Sequence, residues 1–125
     1  MKQIPKISDA EYEIMKIIWK NEPLKASEIV ELVDTECWNE NTIRTMVNRL
    51  LKKGAIGYEK KGKAYFYHSI VSETEYRKYE GTNFLKKLYS GSLSAMFANF
   101  VHDENVSKDD LKELKGILEK ELKDE

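Results

Sequence analysis

Apolar positions recur along this chain at two spacings, and the change of period marks out its elements. Tyr12, Met15, Ile18 and Trp19 fall at helical intervals, with Ile14 and Ile17 widening the stripe. They follow Ser8-Asp9-Ala10-Glu11, a capping box in which hydroxyl and carboxylate satisfy each other's backbone amides, with Ile7 placed to staple onto Tyr12. This predicts a helix over 9–20, ended before Asn21-Glu22-Pro23. A short second helix, over 26–34, turns Ile29, Val30 and Val33 inward, and either Lys25 or Ser27 stands at its start. Trp38 follows and closes the core between this helix and the next. After Gly54 the period drops toward two: residues 55–60 and 64–68 are short β-prone runs joined by Lys61-Gly62-Lys63, a hairpin signal. Helical spacing then returns over 73–89, behind a second capping box at Ser72-Glu73-Thr74-Glu75, with Gly81 as an interruption that marks a bend or a close contact. Two further helices are predicted, a nearly all-apolar one over 93–101 and one over 108–123 that starts from Ser107.

The stretch Asn39–Gly54 carries the candidate chemistry. Asn39 can cap a helix, Glu40 suits its first turn and Gly54 can end it. At about 100° per residue, Ile43, Met46, Val47 and Leu50 share one side. Asn41, Thr42, Arg44, Thr45, Asn48, Arg49 and Lys52 share the other, which reads as free of acids. Amides, hydroxyls and guanidinium groups are the groups that read base edges and hold phosphates. Two helices joined by a brief connection over 35–38 form a helix-turn-helix, and a hairpin directly behind the second makes a wing with lysines at its tip. A lone hairpin is marginal in water, so one of its faces, Tyr65 and Tyr67 or Phe66, should pack on that helix.

Charge sharpens this picture. The net charge is −1, yet between residues 41 and 63 seven cations stand against Glu59 alone. A local basic patch on a near-neutral chain is the footprint of a phosphate-facing surface. Base-edge contacts are assigned to Asn41, Thr42, Arg44 and Thr45, and phosphate contacts to Asn48, Arg49, Lys52, Lys60, Lys61 and Lys63. The one cysteine, Cys37, excludes an internal disulfide and reads as a structural thiol. His68 and His102 lack ligand spacing, so no metal or cofactor is expected. No nucleophile–base pairing, phosphate-cradling glycine loop or carboxylate pair points to an enzyme. No run approaches the roughly 18 apolar residues of a membrane span, and Met1–Pro5 carries no signal core, so a cytoplasmic protein without membrane insertion is expected.

The fold class expected is mainly α (α+β). A winged helix-turn-helix with a two-stranded wing occupies 1–71, and a three-helix dimerisation region occupies 72–125. That second region is too apolar to stand exposed and too short for a large core, which calls for a second copy. Its pairing residues are taken as Leu85, Leu88, Tyr89, Met96, Phe97, Leu111, Leu114 and Leu118. The alternative is a winged helix that serves as a protein-interaction module without specific DNA binding.

Thr42-Ile43-Arg44-Thr45, Asn48-Arg49-Leu50, Lys52-Lys53-Gly54 and Tyr65-Phe66-Tyr67 resemble the penicillinase repressors of the BlaI/MecI/CopY type. So do Glu11-Tyr12-Glu13-Ile14-Met15, Ile18-Trp19, Phe84-Leu85-Lys86-Lys87-Leu88-Tyr89 and Ala98-Asn99-Phe100, so the likeness runs from about Ile7 to Leu118 and is nearest the BlaI/MecI branch. The resemblance implies a homodimeric repressor on a palindromic operator with TACA/TGTA-type half-sites, intertwined through its C-terminal helices. It implies an antibiotic-resistance pathway in which a membrane receptor sensing β-lactams triggers proteolysis at an Asn–Phe bond, here Asn99–Phe100. Two departures stand out. The chain lacks the C-terminal cysteine pair of copper-responsive relatives, and Lys25 occupies a start position where a hydroxyl is usual.

Overall fold

The computed structural model describes residues 3–33 and 38–123. The expected connection over 35–38 and the thiol of Cys37 therefore lie largely outside the described residues, as does the Met1-Lys2 start. The elements run α1 (Asp9–Asn21), α2 (Ala26–Leu32), α3 (Glu40–Lys53), β1 (Ile56–Lys61), β2 (Ala64–Ser69), α4 (Glu73–Tyr89), α5 (Leu93–Phe100) and α6 (Lys108–Lys123). They form two compact units, Met1–Tyr79 and Glu80–Glu125, a division that falls inside α4.

In the first unit each helix starts where a side chain satisfies its free amides. The Ser8 hydroxyl accepts from the Glu11 amide at 3.1 Å while Glu11 Oε1 accepts from the Ser8 amide at 2.9 Å. Lys25 holds the N-cap position of α2. A lysine has no acceptor to offer, so only the reciprocal half of the box forms, Lys25 N–H donating to Glu28 Oε1 at 3.0 Å. α2 ends at Leu32, two residues short of the expected end. The apolar stripes of three helices meet in one core: Ile14, Met15 and Ile18 of α1, Ile29 of α2, and Ile43, Met46, Val47 and Leu50 of α3. Trp38 lies against this core, half-buried.

The hairpin pairs Ile56 with Ser69 through Lys61 with Ala64, closed by a two-residue turn in which Gly62 takes φ +64°. Tyr67 packs on the core while Tyr65 stays exposed, so the two residues expected to share a fate divide. Backbone bonds extend the sheet: Leu24 N–H donates to Tyr67 O at 3.0 Å and Tyr67 N–H to Leu24 O at 2.7 Å. The wing is thereby sewn to the residue just ahead of α2. Glu22 adds a second tie, its carboxylate accepting from the Ser69 amide at 3.1 Å and the Ser69 hydroxyl at 2.9 Å. The first turns of α4 belong to this unit because Tyr76 is buried against Tyr12 and Trp19, with ring centroids 5.6 and 5.8 Å apart. The Trp19 indole N–H donates to Val71 O at 2.9 Å, satisfying the one polar atom of that ring.

The second unit holds the rest of α4, with α5 and α6. α4 runs through Gly81 as one helix, and no atom lies within 4 Å of where a Cβ would stand, so the close contact weighed from the sequence is absent among the described residues. Tyr89 lies beside Phe84 and Phe100 at 6.2 and 6.4 Å between centroids, and its hydroxyl accepts from Asn99 Nδ2 at 3.0 Å. α5 and α6 bury no residue fully. Among the described residues no helix is long and apolar enough to cross a membrane.

Candidate nucleic-acid interface

α3 is the best-defined helix of the first unit at both ends. Asn39 Oδ1 accepts from the Thr42 amide at 2.8 Å, and Gly54 ends the helix at φ +79°, a left-handed conformation that costs a glycine little. Its 14 residues make a rod about 21 Å long. The apolar half is buried, which fixes the rotation of the helix about its axis. Asn41, Thr42, Arg44, Thr45, Asn48, Arg49 and Lys52 are consequently all exposed, as the pattern of the sequence required.

The face is not free of acid. Glu40, read from sequence as a first-turn charge, stands one turn before Arg44, and Arg44 Nη2 donates to Glu40 Oε1 at 3.2 Å. That correction follows from helix geometry, since residues four apart share a stripe. Thr45 is also engaged. Its hydroxyl donates to Asn41 O at 2.8 Å, which leaves the oxygen as an acceptor and the methyl for apolar contact.

Two shallow hollows flank α3. One, of about 340 Å³, is lined by Asn39, Asn41, Thr42, Thr45, Met46 and Arg49. The other, of about 240 Å³, lies between α2, α3 and the wing, lined by Lys25, Ala26, Ser27, Arg44, Ala64, Tyr65 and Tyr67. The structure thus brings Arg44 together with the wing and the start of α2. Asn48 and Lys52 are on the same helix but line neither hollow. Lys25 and Ser27, weighed in the sequence only as helix starts, join the surface, and so does Tyr65; the signal available was the position of Lys25 ahead of a helix-turn-helix. On the wing Lys60 Nζ lies 5.7 Å from the centre of the Tyr65 ring and Lys61 Nζ 5.7 Å from that of Phe66. Aromatic faces hold both cations at the tip without neutralising them. Lys63, next to Gly62 in the turn, is exposed.

Three helices on one core, with a hairpin behind the third and a basic, amide-rich outer face, define a winged helix-turn-helix protein. The family model of penicillinase repressors matches residues 7–120. The chain is 41% identical over 120 residues to the penicillinase repressor of Bacillus licheniformis, covering 95% of this chain and 94% of that one. It is 39% identical over 115 residues to the methicillin resistance regulatory protein MecI of Mammaliicoccus sciuri, covering 91% and 94%. Among solved structures it is similar to the monomeric form of BlaI from Bacillus licheniformis in complex with the blaP half-operator. That match has 45% identity and a TM-score of 0.52, and covers 61% of this chain and 94% of the other. The chain belongs to the penicillinase repressor family.

Proposed function

We propose that this chain represses transcription as a homodimer that seats one α3 in the major groove of each half of a palindromic operator. The observation that carries the reading is the outer face of α3: seven exposed polar or basic residues held in register by a buried apolar half, with the wing's Tyr65 beside Arg44. A helix of this kind fits the roughly 12 Å width of the major groove. Asn41, Thr42, Arg44 and Thr45 take the base edges; Asn48, Arg49, Lys52, Lys60, Lys61 and Lys63 take phosphates, and Lys25 joins them. The relative bound to the blaP half-operator supports DNA as the partner.

The second unit supplies the pairing. In the single chain Leu88, Leu93, Ile117, Leu118 and Leu122 are 58%, 49%, 55%, 44% and 71% exposed, and burying such side chains is favourable. A second copy covers them, with Leu85, Tyr89, Met96, Phe97, Leu111 and Leu114, all half-buried, completing the interface. Inactivation follows from cutting Asn99–Phe100, at the C-terminal turn of α5, which detaches α6 from the rest of the chain. A β-lactam signal relayed by a membrane sensor and protease is the upstream event in this scheme.

The test is quantitative DNA binding across salt concentrations. Arg44→Ala weakens binding to the selected site by about 1–3 kcal/mol and relaxes its sequence preference. Lys61→Ala weakens selected and random duplexes alike and lowers the salt slope by about one. Equal losses on both duplexes for both variants refute the division of roles. Failure of the wild-type chain to retain any duplex favours a protein-interaction module instead.

A further inference from the structure

Glu40 is the one acid on α3, and it is placed against Arg44, an exposed cation of the helix's outer face. The pair lies in solvent, with Glu40 59% and Arg44 46% exposed, and Arg44 also borders the hollow that reaches Lys25 and Tyr65. On the reading that α3 binds DNA, we infer that Glu40 is a specificity-determining residue, which holds Arg44 away from phosphates and reserves its guanidinium for a base edge.

Binding to arbitrary DNA rests on cations meeting phosphates. An arginine already facing a carboxylate must give up that partner to join in. Seating on a base edge is different. A guanidinium has five N–H groups, and the hydrogen bond to Glu40 Oε1 occupies one of them, on Nη2. The remaining donors suffice for the two acceptors of a guanine edge. The ion pair therefore persists when α3 is in register and opposes binding when it is not, so its cost falls on the wrong sequences. The pair is exposed, and its effect on affinity is correspondingly about two- to fivefold. A plainer role exists for Glu40, since a negative charge in the first turn favours the helix dipole. That role changes thermal stability without changing selectivity.

The experiment compares the full chain with its Glu40→Gln variant on two duplexes. One is selected by the wild-type chain from a random-sequence pool, and the other is a shuffled duplex of the same length and composition. The variant is expected to bind the shuffled duplex about two- to fivefold more tightly, with a log–log salt slope steeper by up to about one. Its affinity for the selected duplex should move by less than about twofold, so the selectivity ratio falls. In an Arg44→Ala background the substitution at Glu40 should leave the ratio unchanged. Equal tightening on both duplexes, an unchanged affinity for the shuffled one, or an effect that survives Arg44→Ala each overturns the inference while DNA binding stands. A wild-type chain that selects nothing from the pool overturns both.

Discussion

Glu11 is the one charged side chain buried among the described residues, 3% exposed, and it sits at the joint between α1 and the end of α3. Its Oε1 accepts from the Ser8 amide and is ion-paired with Lys53 Nζ, which also donates to Lys6 O at 2.9 Å. Burial pushes the Glu11 carboxyl up. The hydrogen bonds from Lys53 and Ser8, with the charge of Lys53, outweigh it and hold the group below its ordinary value of 4.5. A lowered pKa means that the folded chain favours the carboxylate. The stabilisation is thus complete above the unfolded value and is lost as pH falls through the folded one. Removing the lysine leaves burial opposed by the Ser8 hydrogen bonds alone. Lys53→Met should cost about 2 kcal/mol at neutral pH, short of the full cost of breaking a buried pair because Lys53 is itself 36% exposed. The gap between wild type and variant should close as pH drops below about 4.5. Urea unfolding at pH 7 and pH 3.5 measures this, and a gap of the same size at both would mean that the ion pair is not its origin.

At the scale of elements, α3 depends on its two ends. Gly54 takes φ +79° and meets nothing within 4 Å of an added Cβ, so substitution there tests backbone conformation alone. Gly54→Ala should destabilise the chain by about 1 kcal/mol, and Gly54→Asn by less, because asparagine tolerates the left-handed region better. Thermal unfolding of both variants checks the order, and an alanine variant as stable as wild type would dismiss the glycine as a requirement. Such signals are why much of the fold was legible in the sequence. Ser8, Asn39, Ser72 and Ser107 each name a helix start through local chemistry, and the stripes of α1, α3 and α6 repeat often enough to fix their rotation. What the sequence concealed is contact across distance. Leu24 joins the sheet as a single residue, too short to show a period, and Glu22 reaches Ser69 from 47 positions away. Within the candidate site, the exposed face of α3 was readable, but the neutralising role of Glu40 was hidden because a first-turn acid already had a sufficient explanation. The place of Lys25 in the hollow beside Arg44 and Tyr65 was hidden for the same reason: it looked only like a poor cap.

For the whole molecule, the proposed function would divide the work of holding DNA between the two units. A single winged helix meets one half-site, and its affinity is set by one α3 and one wing. Joining two through the second unit makes the second encounter intramolecular, which can raise apparent affinity by about 10² to 10⁴ without a new contact. If the second unit pairs as proposed, the apolar face of α6 is where the linkage would be broken cleanly. Leu118 is 44% exposed in the single chain, so a carboxylate there is hydrated and the fold of one chain loses little. In a dimer interface the same carboxylate would be desolvated without a partner, at a cost of several kcal/mol. Leu118→Glu is therefore expected to sediment as a monomer and to bind an isolated half-site as the wild-type chain does. On the full palindrome it should lose the avidity factor. Cleavage at Asn99–Phe100 should give the same binding profile by a different route, since it removes α6 entirely. Asn99 lies within α5 and its side chain is held by Tyr89, so the backbone there must unwind before a protease can take it in extended form. A Leu118→Glu chain that still sediments as a dimer and binds the palindrome at wild-type strength would place the pairing surface elsewhere and separate the cleavage bond from the switch.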